Sequence, residues 1–458
     1  MSEPSGTHLL AKLNLADATL LVMGAAIGSG IFLTSGIIAQ SLPHAGWILF
    51  VWFLGMVLTL FGGITLAELG TMMPQAGGQY VYLREAYGSL AGFLFGWMWI
   101  LAMQSGGVAA LGIGFAEYLS YFLPSLSLQN VFWEVPGLQF SFGQMVAVTS
   151  IAVFTAVNYF GIRSGSTVQN FFAVIKILAI AALVLGGLLF IAGSSQPANV
   201  QALAVPSGMS LIAAVGLSLI AVIWTFDGWY AVNVVASEIR NVQRNLPLSL
   251  ILGITLTGII YLLVNWFYTR ALPMPEMAGT LRIGEKATTW MFGPAAGTAI
   301  SALILISILG CLSATIIFGP RVFYALARDG LFFKSLARVH PRYHTPGNAI
   351  IAQGVWAGVL CLSGTYEQLY TYVVFAMLLF YVALALAVIV LRKKQPTAER
   401  PYKVWGYPVV PILFGLAMLG IMINTLIEKP FESVIGLILL LAGLPVYFFW
   451  RKRSSSLR

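Results

Sequence analysis

Charged side chains are scarce in this chain of 458 residues. Aspartate, glutamate, lysine and arginine make up 9% of it and hydrophobic residues 59%, whereas soluble domains usually carry about 25% charged residues. A soluble protein of this composition would have too little polar surface to present to water, so the sequence excludes an ordinary soluble domain. The few charges lie between long uncharged runs, which is typical of a helical protein that crosses a membrane several times.

Cysteine and histidine are also rare. The two cysteines, Cys311 and Cys361, both lie inside apolar runs, and we expect buried packing residues there and not a disulfide or a metal site. The four histidines are scattered, so we predict no zinc site, no other bound metal and no cofactor. The chain also contains no HExxH, no nucleophile elbow and no phosphate-binding loop. We therefore predict that the protein is not an enzyme.

Long apolar segments make up most of the chain. A helix needs about 20 apolar residues to cross about 30 Å of hydrocarbon. We predict an all-α integral membrane protein with twelve transmembrane helices. The twelve segments are 17–40, 45–68, 87–121, 141–160, 169–193, 209–237, 246–269, 293–327, 347–363, 368–391, 406–427 and 432–450.

The basic residues indicate how these segments are oriented. If the N-terminus is cytoplasmic, all of the 24 lysines and arginines except Arg270, Arg282, Lys286 and Lys429 fall on inner loops or inner helix ends. We therefore expect a multi-pass protein of the cytoplasmic membrane, surrounded by lipid, with both termini in the cytoplasm. The net charge of +9 does not indicate a nucleic-acid partner, because the basic residues are spread over loops and do not form one patch.

The order of the segments predicts an internal repeat. A polar stretch separates ten spans from a final pair, and ten spans divide into two groups of five. An odd number of crossings makes the second group enter the membrane from the opposite side, which is the inverted repeat of many secondary transporters. The predicted parts are an N-terminus 1–16, a first repeat 17–193, a second repeat 209–391, a cytoplasmic linker 392–405, helices eleven and twelve 406–450, and a C-terminus 451–458.

Two of the predicted spans are interrupted near their centres. The first contains GAAIGSGIF, residues 24–32, although glycine is about 1 kcal/mol less favourable than alanine inside a helix. Its glycines include a GxxxG pattern, which by itself is a common signal of close helix packing. The sixth contains IWTFDGWYAVN, residues 223–233, with an aspartate that costs about 2.5–3.5 kcal/mol at mid-membrane. Because both interruptions begin a five-helix repeat, they favour two broken helices at a substrate site.

A broken helix offers two kinds of backbone group. The half after the break presents free N–H groups, which attract a carboxylate, and the half before it presents free carbonyls, which attract an ammonium. A zwitterionic α-amino acid supplies both charges. Ser29 adds a hydroxyl at the first break, and Trp224 lies one turn before the second, where it could cover a ligand. Asp227 could contact a cationic side chain or brace the broken helix by accepting nearby N–H groups.

Five segments, taken together, resemble a known family. They are GAAIGSGIF, LAELGTMMPQAGGQYVYLREAYG from Leu66, NYFGIRSGSTVQNFFAVIK from Asn158, FDGWYAVNVVASEIRNVQRNLP from Phe226 and RVFYALARDG from Arg321. Their order and spacing are similar to those of the amino acid–polyamine–organocation transporters, specifically a bacterial-type member of the L-type amino acid transporter branch. The resemblance implies a leucine-transporter-like fold, with broken helices one and six and two additional C-terminal helices. Alternating access would move spans one, two, six and seven together.

The resemblance also implies a substrate site at the two breaks. The substrate carboxylate would meet the backbone N–H groups of Ser29 and Gly30 and the Ser29 hydroxyl. Its amine would meet the carbonyl of Ala26 or Ile27 at the first break and the carbonyls of Trp224 and Asp227 at the second. Trp224 would be an aromatic gate on the outer side. The expected substrate-binding residues are Ala26, Ile27, Gly28, Ser29, Gly30, Trp224, Phe226, Asp227 and Gly228.

Lys176 in span five has two interpretations. Its side chain could extend to the inner membrane surface, as long basic side chains near helix ends do. The resemblance implies instead that its ammonium takes the place of a sodium ion in sodium-coupled relatives, bridging span five to span one and to Ser313 in span eight. Sodium coupling is then disfavoured, whereas exchange, facilitated passage and proton coupling all stay open.

We predict a secondary transporter of L-amino acids, with neutral substrates favoured. The alternatives are a transporter of cationic amino acids or polyamines, and a non-transporting nutrient receptor on the same scaffold. Animal members of the branch carry a cysteine between spans three and four that bonds a heavy-chain partner. The corresponding loop here, LPSLSLQNVFWEVPGLQF, contains none, so we expect no disulfide-linked partner and a functional monomer.

Overall fold

A computed structural model of the chain describes residues 13–42, 44–75, 77–135, 138–160, 176–178, 180–188, 209–341, 343 and 345–455. Most of these residues are helical. The helices of the first half are α1 Leu15–Ala26, α2 Gly30–Ala39, α3 Ala45–Met72, α4 Gln79–Tyr87, α5 Ser89–Met98, α6 Gln104–Leu119, α7 Phe142–Tyr159 and α8 Lys176–Leu188. Those of the second half are α9 Leu211–Phe226, α10 Ala231–Val234, α11 Val242–Ala271, α12 Met274–Met277, α13 Ile283–Phe292, α14 Pro294–Phe318, α15 Pro320–Arg328, α16 Gly347–Cys361, α17 Tyr366–Lys394, α18 Val409–Glu428 and α19 Pro430–Ser455.

Several of these helices are long and apolar enough to cross a membrane. Within the described residues there are eight, and nine if α1 and α2 count as one bent span. Helices α8, α9 and α16 are apolar but shorter. Each predicted segment contains a helix, although the fifth, 169–193, is described only over 176–188 without residue 179. Twelve crossings and the inverted repeat therefore stay predictions, while the helical membrane architecture is observed.

One feature departs from the all-α prediction. Strands β1, Val131–Val135, and β2, Leu138–Ser141, form an antiparallel hairpin in which Glu134 pairs with Gln139. The β1 sequence VFWEV consists mostly of β-branched and aromatic residues, which favour strands. The hairpin lies between α6 and α7 and defines what we call the hairpin face of the bundle.

The first predicted interruption coincides with the gap between α1 and α2. Helix α1 begins with a capping box formed by Asn14 and Asp17, ends at Ala26, and is followed by α2 at an angle of 46°. Glycine is needed here for close approach as well as for the break. A Cβ atom on Gly30 would lie 2.6 Å from Thr225 Oγ1 and 2.9 Å from Thr225 Cα, so the start of α2 can contact α9 only without a side chain.

The second interruption follows α9. Asp227 has an extended ψ of 149°, and Gly228 adopts φ of 92°, a conformation that glycine reaches at little cost. A Cβ atom on Gly228 would lie 2.8 Å from the carbonyl oxygen of Ala25. The two breaks are therefore in direct contact with each other.

The far ends of α3 and α17 define the opposite face of the bundle. There Glu68, which is 1% exposed, accepts hydrogen bonds of 2.8 and 2.6 Å from Arg392 and one of 2.7 Å from the backbone N–H of Val404. Arg400 lies 3.5 Å from the same carboxylate. One buried carboxylate thus anchors the end of α17 and the linker that follows it to α3.

Candidate functional site

A small cavity lies where the two breaks meet. Its volume is about 40 Å³, and helices α1, α2, α6, α9 and α14 contribute to its wall. The predicted residues that line it are Ala26, Gly28, Ser29, Gly30, Trp224, Asp227 and Gly228. Met103, Gln104, Gly107, Leu111, Thr225, Cys311, Thr315 and Phe318 also line it. The wall combines apolar and polar groups in similar measure, and convergent polar groups of this kind orient a ligand in small-molecule sites.

Two of the predicted residues lie outside the wall. Ile27 is fully buried, and its N–H bonds the carbonyl of Met23 at 2.8 Å. Phe226 packs edge-to-face on Tyr261, with ring centroids 4.9 Å apart, and lies near Trp52. Both side chains therefore contribute to packing around the breaks and not to the cavity surface.

The backbone N–H groups at the first break are available to a ligand. Those of Gly28, Ser29 and Gly30 have no backbone acceptor among the described residues. They lie at the N-terminus of α2, where the helix dipole adds partial positive charge. A group of free amides beside a helix N-terminus is suited to a carboxylate.

The carbonyls at the same break are instead occupied by the protein. In an unbroken helix, the carbonyls of residues 24, 25 and 26 would accept from the N–H groups of residues 28, 29 and 30. Here the carbonyl of Gly24 accepts from Lys176 Nζ at 3.1 Å, and that of Ala26 accepts from the Tyr261 hydroxyl at 2.9 Å. The Cys311 thiol lies 4.0 Å from the carbonyl oxygen of Ala25. The break is therefore asymmetric, because its carbonyls have partners and its amides do not.

The second break shows a similar arrangement. The carbonyl of Trp224 accepts from the N–H of Asp227 at 3.0 Å, and the carbonyl of Thr225 accepts from the Tyr261 hydroxyl at 2.9 Å. The carbonyls of Ala26 and Trp224, expected as ligands of a substrate amine, thus already have internal donors. A carbonyl oxygen has two lone pairs, so a ligand amine there would be a second partner.

Lys176 lies inside the bundle and not at a surface. Its side chain is 3% exposed, and it bonds α1 as the family resemblance implies. Ser313 is placed differently: its carbonyl and hydroxyl oxygens lie 3.4 and 3.5 Å from Asn158 Nδ2. The α14 side chain at the α1 break is that of Cys311. Cys311 lies two residues before Ser313 and therefore on nearly the opposite side of the helix, since a turn takes about 3.6 residues.

An aromatic cluster closes one side of the cavity. Trp224 Nε1 donates a 2.9 Å hydrogen bond to the hydroxyl of Tyr366, which lies 3.2 Å from the Ser29 hydroxyl. Tyr370 stacks on the Trp224 ring with centroids 6.2 Å apart. These contacts join both broken helices to the start of α17.

A larger vestibule lies beyond this cluster, on the hairpin face. Its volume is about 630 Å³, and its wall includes Glu117, Glu134, Gln139 and Tyr366. Tyr366 is part of its wall and also bonds the cavity residues Ser29 and Trp224. The cluster therefore separates the vestibule from the central cavity.

Asp227 has a buried carboxylate oxygen, Oδ1, without a hydrogen-bond partner among the described residues. The Tyr230 side chain and the backbone N–H of Gly228 lie close to the same carboxyl group. These two neighbours are placed for the bracing role considered from the sequence. A buried polar atom without a partner is energetically costly. The unpaired oxygen at the cavity is therefore available to a cationic group of a ligand.

Sequence reasoning missed Tyr261 and Tyr366. Both are tyrosines in otherwise apolar helices, and a buried tyrosine hydroxyl usually has a hydrogen-bond partner. That pattern marks them as residues of interest without indicating the partner. The two cysteines were predicted correctly as free and buried, although Cys311 also lines the cavity.

Comparison with known proteins adds a family and several relatives. A model described as amino acid permease matches residues 13–443. The chain is 31% identical over 457 residues to the serine/threonine exchanger SteT of Bacillus subtilis, covering 97% of this chain and 98% of that protein. It is 30% identical to the human b(0,+)-type amino acid transporter 1, covering 98% and 89% of the two chains. It is 27% identical to the human cystine/glutamate transporter, covering 100% and 89%.

Proposed function

Since this chain belongs to the amino acid permease family, and is thus a multi-pass membrane protein of amino acid transport, we propose that it exchanges small neutral L-amino acids without sodium. The observation that carries the proposal is the group of free amides of Gly28, Ser29 and Gly30 at the central cavity. They would bind the carboxylate that all L-amino acids share. At about 40 Å³ the cavity must enlarge for any amino acid, and a small side chain requires the least enlargement.

The hydrogen bonds that the carbonyls at the breaks already accept support the proposal of sodium independence. A bound cation is useful where several carbonyl oxygens lack donors. Here Lys176 Nζ and the Tyr261 hydroxyl supply donors to Gly24, Ala26 and Thr225. The protein's own donors therefore satisfy the carbonyl oxygens that a bound cation would otherwise coordinate.

The transport cycle that we propose is alternating access in a fold of twelve spans with two inverted five-helix repeats. The hairpin face would be the outer face and both termini cytoplasmic, because most basic residues then lie inside. The Trp224–Tyr366 contact would be the outer closure, with the vestibule as the entry path. The chain would work as a monomer without a disulfide-linked partner.

A second candidate is a transporter of cationic amino acids. It is favoured by Asp227 Oδ1, which is buried at the cavity without a hydrogen-bond partner. A lysine or arginine side chain would supply that partner. Enlarging the cavity from about 40 Å³ would then be part of substrate binding.

Counterflow in proteoliposomes separates these functions. Purified protein is reconstituted with the twenty common L-amino acids tested one at a time as internal substrate, at two pH values, with sodium or choline outside. We expect internal small neutral amino acids to stimulate uptake, and we expect the uptake to be equal in sodium and in choline. Selective stimulation by lysine and arginine, lost in Asp227→Asn, would establish the second candidate. Binding without any counterflow would instead indicate a receptor.

A further inference from the structure

The last helix ends in a row of basic residues. Helix α19 is long and apolar enough to cross a membrane over Pro430–Lys452, and the sequence at its end reads FFWRKR, residues 448–453. Aromatic residues are thus followed directly by Arg451 and Lys452. A bilayer places such aromatic residues at the edge of its hydrocarbon and the basic residues at the level of the lipid headgroups.

The loop that follows α15 meets this end of α19. The Trp450 ring lies edge-on to the Phe333 ring, with centroids 5.0 Å apart, and it packs against Phe332 at 6.3 Å. Lys334 comes directly after Phe333 in the chain. Arg451 comes directly after the tryptophan. The aromatic contact therefore brings basic residues of two distant segments to one place.

The basic residues at this contact lack an acidic neighbour. Those that are exposed and form no ion pair among the described residues include Lys334, Arg338 and Arg451. Residues 330–366 and 433–458 contain no aspartate or glutamate. The acidic residue that precedes the loop, Asp329, pairs with Arg84 at 2.7 Å. The positive charge of this surface is therefore available to an anion from outside the chain.

Exposed apolar rings lie next to these charges. Phe333 is 56% exposed, and Phe448 and Phe449 at the end of α19 are 56% and 61% exposed. We call the surface formed by Phe333, Phe449, Lys334, Arg338 and Arg451 the basic corner. Its combination of rings and cations is suited to a molecule with an anionic head and an apolar tail.

Both parts of the basic corner are fixed to the helical bundle. The Tyr447 hydroxyl lies 2.6 Å from Ser89 Oγ, and the Tyr447 ring packs on Phe93 with centroids 5.4 Å apart, so the end of α19 is held against α5. On the loop after α15, the side chain of Leu336 is buried. A surface that is already ordered costs less conformational entropy when it binds a ligand.

We propose that the basic corner binds the headgroup of an anionic phospholipid, with the acyl chains along its aromatic rings. The unpaired cations select a negative charge, and the position at the end of a spanning helix selects a lipid. One lipid would then join the loop after α15 to the end of α19. The inference goes beyond the proposed function, since it concerns a lipid and not the transported substrate.

Native mass spectrometry of the purified protein in a neutral detergent measures the binding. The protein is titrated with phosphatidylglycerol, or with phosphatidylcholine of the same acyl chains. The variant carries Lys334→Gln, Arg338→Gln and Arg451→Gln. We expect the parent protein to prefer phosphatidylglycerol, and the variant to bind it about a hundredfold more weakly, because each basic residue near an anionic lipid contributes about fivefold. Equal affinity of the parent protein for the two lipids would overturn the inference.

A matched control variant carries Arg244→Gln, Lys393→Gln and Lys403→Gln. These basic residues are also exposed, form no ion pair among the described residues, and lie in other parts of the chain. The control therefore loses the same charge elsewhere, and we expect it to bind phosphatidylglycerol as the parent protein does. An equal loss of affinity in both variants would show that overall charge, and not the basic corner, attracts the lipid.

The second measurement uses the parent protein and so does not depend on how the variants fold. Phosphatidylglycerol that carries a diazirine near its headgroup is photo-crosslinked to the protein in liposomes, and the labelled peptides are mapped. We expect adducts on both segments of the basic corner, 331–339 and 446–452. The absence of adducts from either segment, or the same labelling by a phosphatidylcholine probe, would contradict the proposal.

Discussion

The indole Nε1 of Trp224 donates a 2.9 Å hydrogen bond to the hydroxyl of Tyr366. This bond joins the end of α9 to the start of α17, and it lies between a vestibule of about 630 Å³ and a cavity of about 40 Å³. Because the same hydroxyl also lies 3.2 Å from Ser29 Oγ, one side chain connects both broken helices to the vestibule wall. Opening from the hairpin face requires these contacts to separate.

Tyr366→Phe should make the central cavity more accessible from the hairpin face. The substitution removes the acceptor of Trp224 Nε1 and the partner of Ser29, and a lost buried hydrogen bond costs about 1–3 kcal/mol. The measurement is the rate at which Cys311 reacts with a membrane-impermeant thiol reagent applied to intact cells. Tyr372→Phe is the control, because Tyr372 lines the same vestibule without bonding Trp224 or Ser29. The same rate in both variants would contradict a closing role for Tyr366.

Lys176→Ala should severely reduce counterflow. The substitution leaves the carbonyl of Gly24 without its 3.1 Å partner and removes a cation from the α1 break. The end of α1 is then no longer held in position by a hydrogen bond from α8. A charge-matched control is Lys286→Ala, whose exposed ammonium pairs with Glu276 at 2.6 Å on the hairpin face and should matter little for transport. Normal exchange kinetics in Lys176→Ala would rule out the bridging role.

Gly30→Ala should abolish transport, whereas Gly107→Ala should change only which substrates are accepted. An added Cβ at Gly30 would clash with Thr225 Cα at 2.9 Å, and this backbone atom cannot easily move. An added Cβ at Gly107 would lie 3.8 Å from the Trp224 ring, which is an ordinary van der Waals contact. Gly107 lines the cavity, so its extra methyl group reduces the space for a side chain. Counterflow by glycine, alanine and leucine measures both effects. Active Gly30→Ala would show that α2 and α9 need not pack this closely.

Glu68→Ala should lower the stability of the protein by about 3–5 kcal/mol, the usual effect of removing one partner of a buried ion pair. Arg392 and Arg400 would both lose their shared carboxylate. Glu367→Ala removes a carboxylate from a more exposed pair, with Lys429 at 3.1 Å, and should cost about 1 kcal/mol or less. Thermal unfolding of the purified variants measures the difference. Equal melting temperatures would show that the linker does not depend on Glu68.

The helical membrane class and the family were predictable from sequence. Long uncharged runs predict spanning helices independently of tertiary packing. The reason is that backbone N–H and C=O groups inside a bilayer must form hydrogen bonds within the protein. The interruption around Gly28–Gly30 was also foreseen, since glycines weaken a helix locally. The hairpin at Val131–Ser141 was not foreseen, because short strands depend on pairing with a neighbour.

The sequence alone determined that this chain folds as membrane helices, that two of them contain weak points at Gly28–Gly30 and Asp227–Gly228, and that its family transports amino acids. The first two properties follow from composition and local backbone preference, and the third follows from the resemblance of five motifs to those of a known family. Only the tertiary structure decided which groups complete the breaks: Lys176 at Gly24, Tyr261 between Ala26 and Thr225, and Tyr366 between Ser29 and Trp224. These partners are 36 to 337 residues apart in the chain. The way helices pack in three dimensions decides which of them meet, and local sequence does not specify that packing.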